Sequence, residues 1–186
     1  MRIAEIIAHG FANDFLPLTG DLKKAAAAIS GIIVVSRFFV AELKGCAHGV
    51  LACSDTKGRA MSIHRPDSIG FMGQVRALVC ERLFHCGIRL PAYYSPETGY
   101  IEFVAVDEKK RGQGVATALL AKVVSDTPYS EYLLDVEQGN APARRCYEKF
   151  GFIEIGREVE IKENPRRVRN KVYMGYVREL VKDKKT

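Results

Sequence analysis

No stretch of this chain approaches the roughly 18 or more uninterrupted apolar residues of a membrane-spanning helix, although apolar residues make up 47% of its 186 positions. The nearest candidate, Ala25 to Val35, is short, follows the charged Asp21-Leu22-Lys23-Lys24 and is broken by Ser30-Gly31. It reads as the end of a helix and its connection, and no membrane partner is expected. The N-terminus has no basic region ahead of an apolar run and a small-residue cleavage site, so secretion is not expected. Internal repeats and low-complexity linkers are also lacking. The length suits one domain, residues 1–186, with a single substantial core.

Cysteine is sparse and unpatterned. Cys46, Cys53, Cys80, Cys86 and Cys146 are odd in number and contain no Cys-x-x-Cys pair. A disulfide framework is therefore excluded, and reduced thiols in a cytoplasmic protein are the expectation. His64, Cys80, His85 and Cys86 lie in one half of the chain, but Cys80 and Cys86 lack zinc-site spacing and sit in a segment of helical periodicity, so no metal is expected. Cys146 adjoins Tyr147, which raises the idea of a covalent acyl-enzyme. Neighbours on a helix point about 100° apart, so both cannot face one ligand and the thiol is expected to pack.

The net charge is +6 and the pI about 9.1, which suits an anionic partner. The basic clusters at Lys109 to Arg111 and at Arg144-Arg145 flank the turn discussed next, while Arg65, the run Arg166 to Lys171 and the tail Lys182 to Lys185 read as solvated surface. Only Tyr173 lies near the Arg166 to Lys171 run as an aromatic platform, so nucleic acid is not the expected partner.

What the chain does contain is a strand, a basic turn and a helix between residues 100 and 120. Tyr100 to Val106 is rich in β-branched and aromatic residues, and Asp107 to Lys110 carries the turn signal. Gly112 and Gly114 let the backbone approach a ligand, and Gln113, Gly114, Val115 and Ala116 would offer amides that no helical carbonyl satisfies. Those donors and the positive helix end suit a pyrophosphate. Arg111 adds a permanent charge with bidentate geometry, and the small Ala116 keeps the first turn open. Two known phosphate motifs fit less well. A P-loop needs Gly-Lys-Ser/Thr where Gly114 is followed by Val115-Ala116, and a dinucleotide fold wants glycine where Thr117 stands. Asp135 sits near the distance at which that fold places its acidic residue, which leaves the second alternative open.

A second segment supplies the remaining signal. Leu133-Leu134-Asp135-Val136 is a short apolar strand, followed by a helix with Asn140 as N-cap, Pro142 in the first turn and Gly151 at the C′ position. The pair Arg111-x-x-Gly114-x-Ala116 and Asn140-x-x-Ala143-x-x-x-Tyr147-Glu148-Lys149-x-Gly151-Phe152 resembles the GNAT superfamily of acyl-CoA-dependent N-acetyltransferases. The resemblance runs from about Arg37 to Leu180 and is specific over residues 100–152.

That resemblance implies an α/β (α+β) fold: a mixed, mostly antiparallel twisted sheet splayed at its centre, helices on both faces and the cofactor in the split. It implies acetyl-CoA as cosubstrate, held by Val104, Ala105 and Val106, by Arg111, Gly112, Gln113, Gly114, Val115, Ala116 and Thr117, and by Asn140. Backbone groups at Val104 and Val106 would bind the pantetheine arm as an added strand does. Homodimers are common in the family. The chain departs from the family pattern in opening almost directly on the helical Ile3, where relatives begin with a strand, and in its long segment from Met61 to Gly99.

Acyl transfer to an amine needs a neutral nucleophile, a polarised carbonyl and an acid for the leaving thiolate. Tyr147 is the expected acid, because a phenol and an alkyl thiol have similar proton affinities and the family motif carries a tyrosine there. Glu102 is the expected base. By strand alternation it shares a face with Tyr100, Val104 and Val106, and an ion pair with a lysine or arginine is its competing role. Asp135 is the second choice. The function expected is direct transfer of an acetyl group to a primary amine of a small molecule or peptide. A non-catalytic acyl-CoA-binding module and a protein- or ribosome-directed acetyltransferase are the alternatives.

The remaining pattern predicts helices over Ile3 to Phe15, Asp21 to Ile29 and Phe71 to Phe84. It predicts a hairpin of Arg37 to Leu43 with Gly49 to Ser54, and closing strands Ile153 to Ile161 and Lys171 to Val177.

Overall fold

The computed structural model describes residues 2–61, 95–160 and 169–178. The expected helix Phe71 to Phe84 and the basic loop after Ile161 lie outside them, as do His64, Cys80, His85 and Cys86.

The chain opens with two helices, α1 (Arg2–Gly10) and α2 (Ala12–Thr19), where the sequence pattern predicts one. The break has a tertiary cause. Gly10 lies so close to the sheet that an added Cβ would stand 2.7 Å from the Ala105 Cβ. At Phe11 the backbone leaves the helix with φ −115° and ψ 35°, and its ring meets Phe103 edge-on at 5.9 Å. α3 (Leu22–Ser30) starts where expected, its Asp21 cap accepting the Lys23 amide at 2.9 Å.

β1 (Phe38–Leu43) and β2 (Cys46–Ser54) form the hairpin. Its connection is only Lys44-Gly45, both at positive φ (51° and 75°), which matches the strand twist. Cys46, Ala47 and His48, expected in the loop, belong to β2. There follow β3 (Thr98–Val106), α4 (Val115–Asp126), β4 (Glu131–Glu137), α5 (Ala141–Phe150), β5 (Ile153–Glu160) and β6 (Arg169–Val177). The strands make a six-stranded sheet in the order β1-β2-β3-β4-β6-β5. Only β3 and β4 are parallel, with α4 as their crossover. Among the described residues no strand precedes α1.

The sheet separates two apolar cores. On one side Ile7, Phe15, Ile29, Val50 and Ala105 pack under α1 to α3; on the other Leu51, Ile101, Leu120, Val123, Leu134 and Met174 pack under α4 and α5. Each such side chain contributes about 1.5–3 kcal/mol on burial. Val50 and Leu51 are adjacent and point to opposite cores, as alternation requires. On β3 the alternation fails. Phe103 has φ 55°, and the register against β2 shifts between Val50 and Ala52. Phe103 therefore packs on the α1–α3 side, as Ala105 does, while Val104 packs on the other. The expectation that Glu102 and Val104 share a face is corrected by this bulge.

One polar cluster locks the sheet to its surroundings. Asp55, just past β2, accepts from Arg37 Nη1 and the Tyr129 hydroxyl, both at 2.7 Å, and from the Lys57 and Gly58 amides. Burial works against the charge, but the Arg37, Tyr129 and Lys57 hydrogen bonds prevail and hold its carboxyl at about 2. A carboxyl depressed in the folded state contributes stability above its unfolded value and loses it as pH falls through the folded one. Asp55→Asn is expected to lower the unfolding free energy by about 2 kcal/mol at neutral pH. Urea midpoints measured down the pH scale should show that deficit close between about pH 4 and pH 2; a deficit independent of pH would deny the charge this role.

Candidate functional site

β3 and β4 are joined only at Thr98 with Glu131, Gly99 with Tyr132 and Tyr100 with Leu133. Beyond Tyr100 they diverge, β3 continuing against β2 and β4 against β6. A cavity of about 470 Å³ fills the gap. It is walled by β3 from Tyr100 to Val104, β4 from Leu134 to Glu137, the α1–α2 joint from His9 to Phe15, and Asn140, Ala143 and Tyr147 around α5, with Arg59, Arg111 and Lys171 completing it.

The β3 edge has a definite polarity. The Asp107 amide donates to the His48 carbonyl at 2.7 Å, so that residue and Ala105 direct their backbone groups to β2. Val104 and Val106 then direct theirs into the split, and Arg111 Nε lies 3.3 Å from the Val106 carbonyl.

Past β3 the chain makes a short 3₁₀ turn at Glu108–Lys110 and reaches Gly112 and Gly114, at φ 73° and 80°. A Cβ on either would meet nothing within 4 Å, so the space above them is open. Val115, Ala116 and Thr117 open α4, where no helical carbonyl can accept their amides, and Gly112, Gln113 and Gly114 precede them in an exposed turn. The Gln113 side chain braces the turn from Lys109, its Nε2 donating to that carbonyl at 3.0 Å. Thr117 Oγ1 lies 3.7 Å from Cys146 Sγ, joining α4 to α5. The α4 N-terminus and the exposed Arg111 give this turn the chemistry to receive a multiply charged anion.

Asn140 caps α5 through Oδ1, which accepts the Ala143 amide at 3.3 Å. One turn on, Tyr147 is buried against Phe152, ring centroids 6.0 Å apart, and borders the cavity. Burial first, then Cys146 and Asp135, push its phenol above the ordinary value, so it keeps its proton at any physiological pH. Among the described residues its hydroxyl has no hydrogen-bond partner.

Glu102 also borders the cavity. Its carboxylate accepts the Ser54 hydroxyl and, at 3.2 Å, the Ala60 amide on Oε1, and Arg59 Nη2 at 2.7 Å on Oε2. The ion pair considered from sequence as its competing role is thus present, and Arg59 also lies 5.6 Å above the Tyr100 ring. Asp135 accepts the Tyr100 hydroxyl and Lys171 Nζ, the latter at 2.9 Å. Lys171, read from sequence as solvated surface, is 6% exposed. Arg59, Lys171 and the α1–α2 joint escaped the sequence reading. Only the alternation of buried Val172 and Met174 hinted that Lys171 faces a different, enclosed side.

Among the described residues no helix is long and apolar enough to cross a membrane. A family model described as "Acetyltransferase (GNAT) family" matches residues 33–152. N-alpha-acetyltransferase 30 of Schizosaccharomyces pombe is 32% identical over 94 residues, a match that takes in 49% of this chain and 56% of that protein. The fold is similar to that of an N-acetyltransferase from Staphylococcus aureus, with TM-score 0.59 and 17% identity over 94% of this chain and 93% of the other. It is also similar to ribosomal-protein-alanine N-acetyltransferase from Brucella melitensis, with TM-score 0.56 and 14% identity over 95% and 96%. The splayed sheet, the glycine turn that opens α4 and this match over residues 33–152 lead to one conclusion: the chain belongs to the GNAT acetyltransferase family.

Proposed function

We propose that this protein is an N-acetyltransferase that moves an acetyl group from acetyl-CoA directly to a primary amine. The likeness to N-alpha-acetyltransferase 30 favours the α-amine of a peptide as the acceptor class. The observation that carries the reading is the continuity of one site. Free amides and Arg111 stand at one end, an open strand edge runs along the middle, and a buried phenol closes the inner wall.

The chain's residues fit acetyl-CoA. The amides from Gly112 to Thr117 and the Arg111 guanidinium would receive the pyrophosphate, and the open space over Gly112 and Gly114 admits it. The backbone groups of Val104 and Val106 would bind the pantetheine amides as a neighbouring strand does, with Ala105 holding them in register against β2. Asn140 borders the same gap. When bound, acetyl-CoA supplies an acyl group activated as a thioester.

Tyr147 is the proposed acid. The burial that raises its pKa also disfavours a thiolate in the same wall, so the sulfur's demand for a proton rises with the phenol's reluctance to lose one.

Two experiments test this. In calorimetric titrations the folded wild type should bind acetyl-CoA and CoA, and the variant combining Arg111→Ala with Gly114→Trp should lose that binding; a wild type that binds neither would end the acyltransferase reading. Thiol release should then be followed with peptide amides beginning with alanine, serine, methionine or lysine, alongside small polyamines. Tyr147→Phe should leave CoA affinity within about twofold and lower turnover by about 100-fold or more. Unchanged turnover would remove the acid role from Tyr147.

A further inference from the structure

Asp107 stands where β3 gives way to the glycine turn, and it is bonded in three directions. Its amide donates to the His48 carbonyl of β2 at 2.7 Å. Its Oδ1 accepts the Lys109 amide at 3.3 Å and so caps the 3₁₀ turn Glu108–Lys110. Its Oδ2 accepts Arg2 Nη2, from the first turn of α1, at 2.6 Å, and the His48 imidazole flanks the same oxygen with Nδ1 3.9 Å away. The Lys109 amide first, and then the Arg2 charge, hold the carboxyl below its ordinary value against the desolvation that opposes them.

Arg2 is held in turn. Its Nε donates to the Ala47 carbonyl at 3.2 Å, and its Nη1 lies 3.4 Å from Glu5 Oε2. α1 is therefore tied by its first residue to β2 and to the entry of the turn. Its last residue, Gly10, sits against β3, where an added Cβ would stand 2.7 Å from the Ala105 Cβ.

As a source of stability this clasp is poorly placed. The Arg2 side chain keeps 48% of its surface in solvent and that of Asp107 24%, and ion pairs so exposed add little to folding. Its position suits another use. Gly112 and Gly114 give the turn wide backbone freedom, which an anion must freeze out when it binds. A turn fixed beforehand, at its entry by Asp107 and from within by Gln113 on the Lys109 carbonyl, has less freedom to lose.

Resting on the acyl-CoA reading above, we propose that Arg2 and Asp107 are positioning residues for the cofactor, a clasp that fixes the Gly112–Gly114 turn against β2 and α1 in the form that receives the pyrophosphate. Arg2 acts through Asp107, and Asp107 acts through the Lys109 amide and the backbone beyond it. Charge alone predicts a different pattern. CoA is a polyanion, so removing the Asp107 charge would tighten its binding and removing the Arg2 charge would weaken it. The clasp requires that both changes weaken binding, and that the second adds nothing once the first is made.

The test is calorimetric titration of the full chain with CoA and acetyl-CoA, comparing wild type, Asp107→Asn, Arg2→Met, their combination and Arg2→Lys. Asparagine still caps a turn through its Oδ1, so Asp107→Asn removes the ion pair and spares the cap. Each of Asp107→Asn and Arg2→Met should raise Kd about tenfold, and the double variant should raise it no further. Arg2→Lys keeps the charge and should stay within about threefold of wild type. Urea midpoints of the variants should match that of wild type, as expected for an exposed pair. An unchanged Kd or tighter CoA binding in Asp107→Asn, additive losses in the double variant, no rescue by lysine, or a rise in Kd that follows a fall in the urea midpoint would each overturn the clasp and leave the acyl-CoA reading standing. A folded wild type that binds neither CoA nor acetyl-CoA would overturn both.

Discussion

β3 is paired with β2 from Tyr100 to Val106 but with β4 only from Thr98 to Tyr100. Its backbone groups at Val104 and Val106 therefore look into the split without a ladder partner, the Val106 carbonyl accepting from Arg111 Nε instead. A buried polar group left without a hydrogen bond costs about 1–3 kcal/mol, which a chain accepts only where solvent or a ligand takes the place of the strand. The rest of the site depends on keeping that gap from closing. The bulge at Phe103 contributes, since its ring is wedged between Phe11 at 5.9 Å and Phe38 at 6.5 Å, on the side away from Val104. A straight β3 would turn Val104 to the α1–α3 core and offer β4 a regular edge.

At the inner end of the gap the strands are spanned by charge. Arg59 with Glu102 on β3, and Lys171 with Asp135 on β4, are bridged by Tyr100, whose hydroxyl reaches Asp135 and whose ring lies under Arg59. Apolar residues of the same volume would serve stability at least as well, because removing ions from water costs about as much as pairing them returns. The position of these pairs argues for a chemical use. They stand at the inner end of a cavity that also holds a phenol, where charged side chains give a polar wall that leucine could not.

Local signals in the sequence located the strand, turn and helix of the proposed cofactor half of the site, and long-range ones hid the rest. The strand from Tyr100, the turn with Gly112 and Gly114, and the capped helix between Asn140 and Gly151 are written in neighbouring residues, and each lies where the pattern puts it. α1 and α2 read as one helix because the apolar periodicity runs through Gly10 and Phe11, and only the approach of Ala105 ends it. The hairpin loop reads from sequence as Lys44 to His48, yet Cys46 and Ala47 pair with β1 and His48 lies within β2. The bulge at Phe103 is invisible to alternation, which assumes a regular pleat. Lys171 sat in a basic run, and its burial depends on a diagonal partner in another strand.

The positions of the thiols favour the proposed direct transfer over a covalent acyl-enzyme. Cys146 is adjacent to Tyr147 in sequence, but its sulfur turns toward Thr117 at 3.7 Å, so α5 presents the phenol to the cavity and the thiol to α4. Cys53 is buried in the core under α4, where burial first and then the Asp55 charge push its thiol up to about 12. It is therefore neither exposed nor ionised. Cys46 is exposed, at the start of β2 beside the hairpin turn. Among the described residues no thiol borders the cavity, which is walled by the α1–α2 joint and reached by Arg111 from the turn before α4. On the function proposed above, a thioester lying along β3 and an amine held in the cavity would meet beside Tyr147, where proximity and proton transfer serve the reaction.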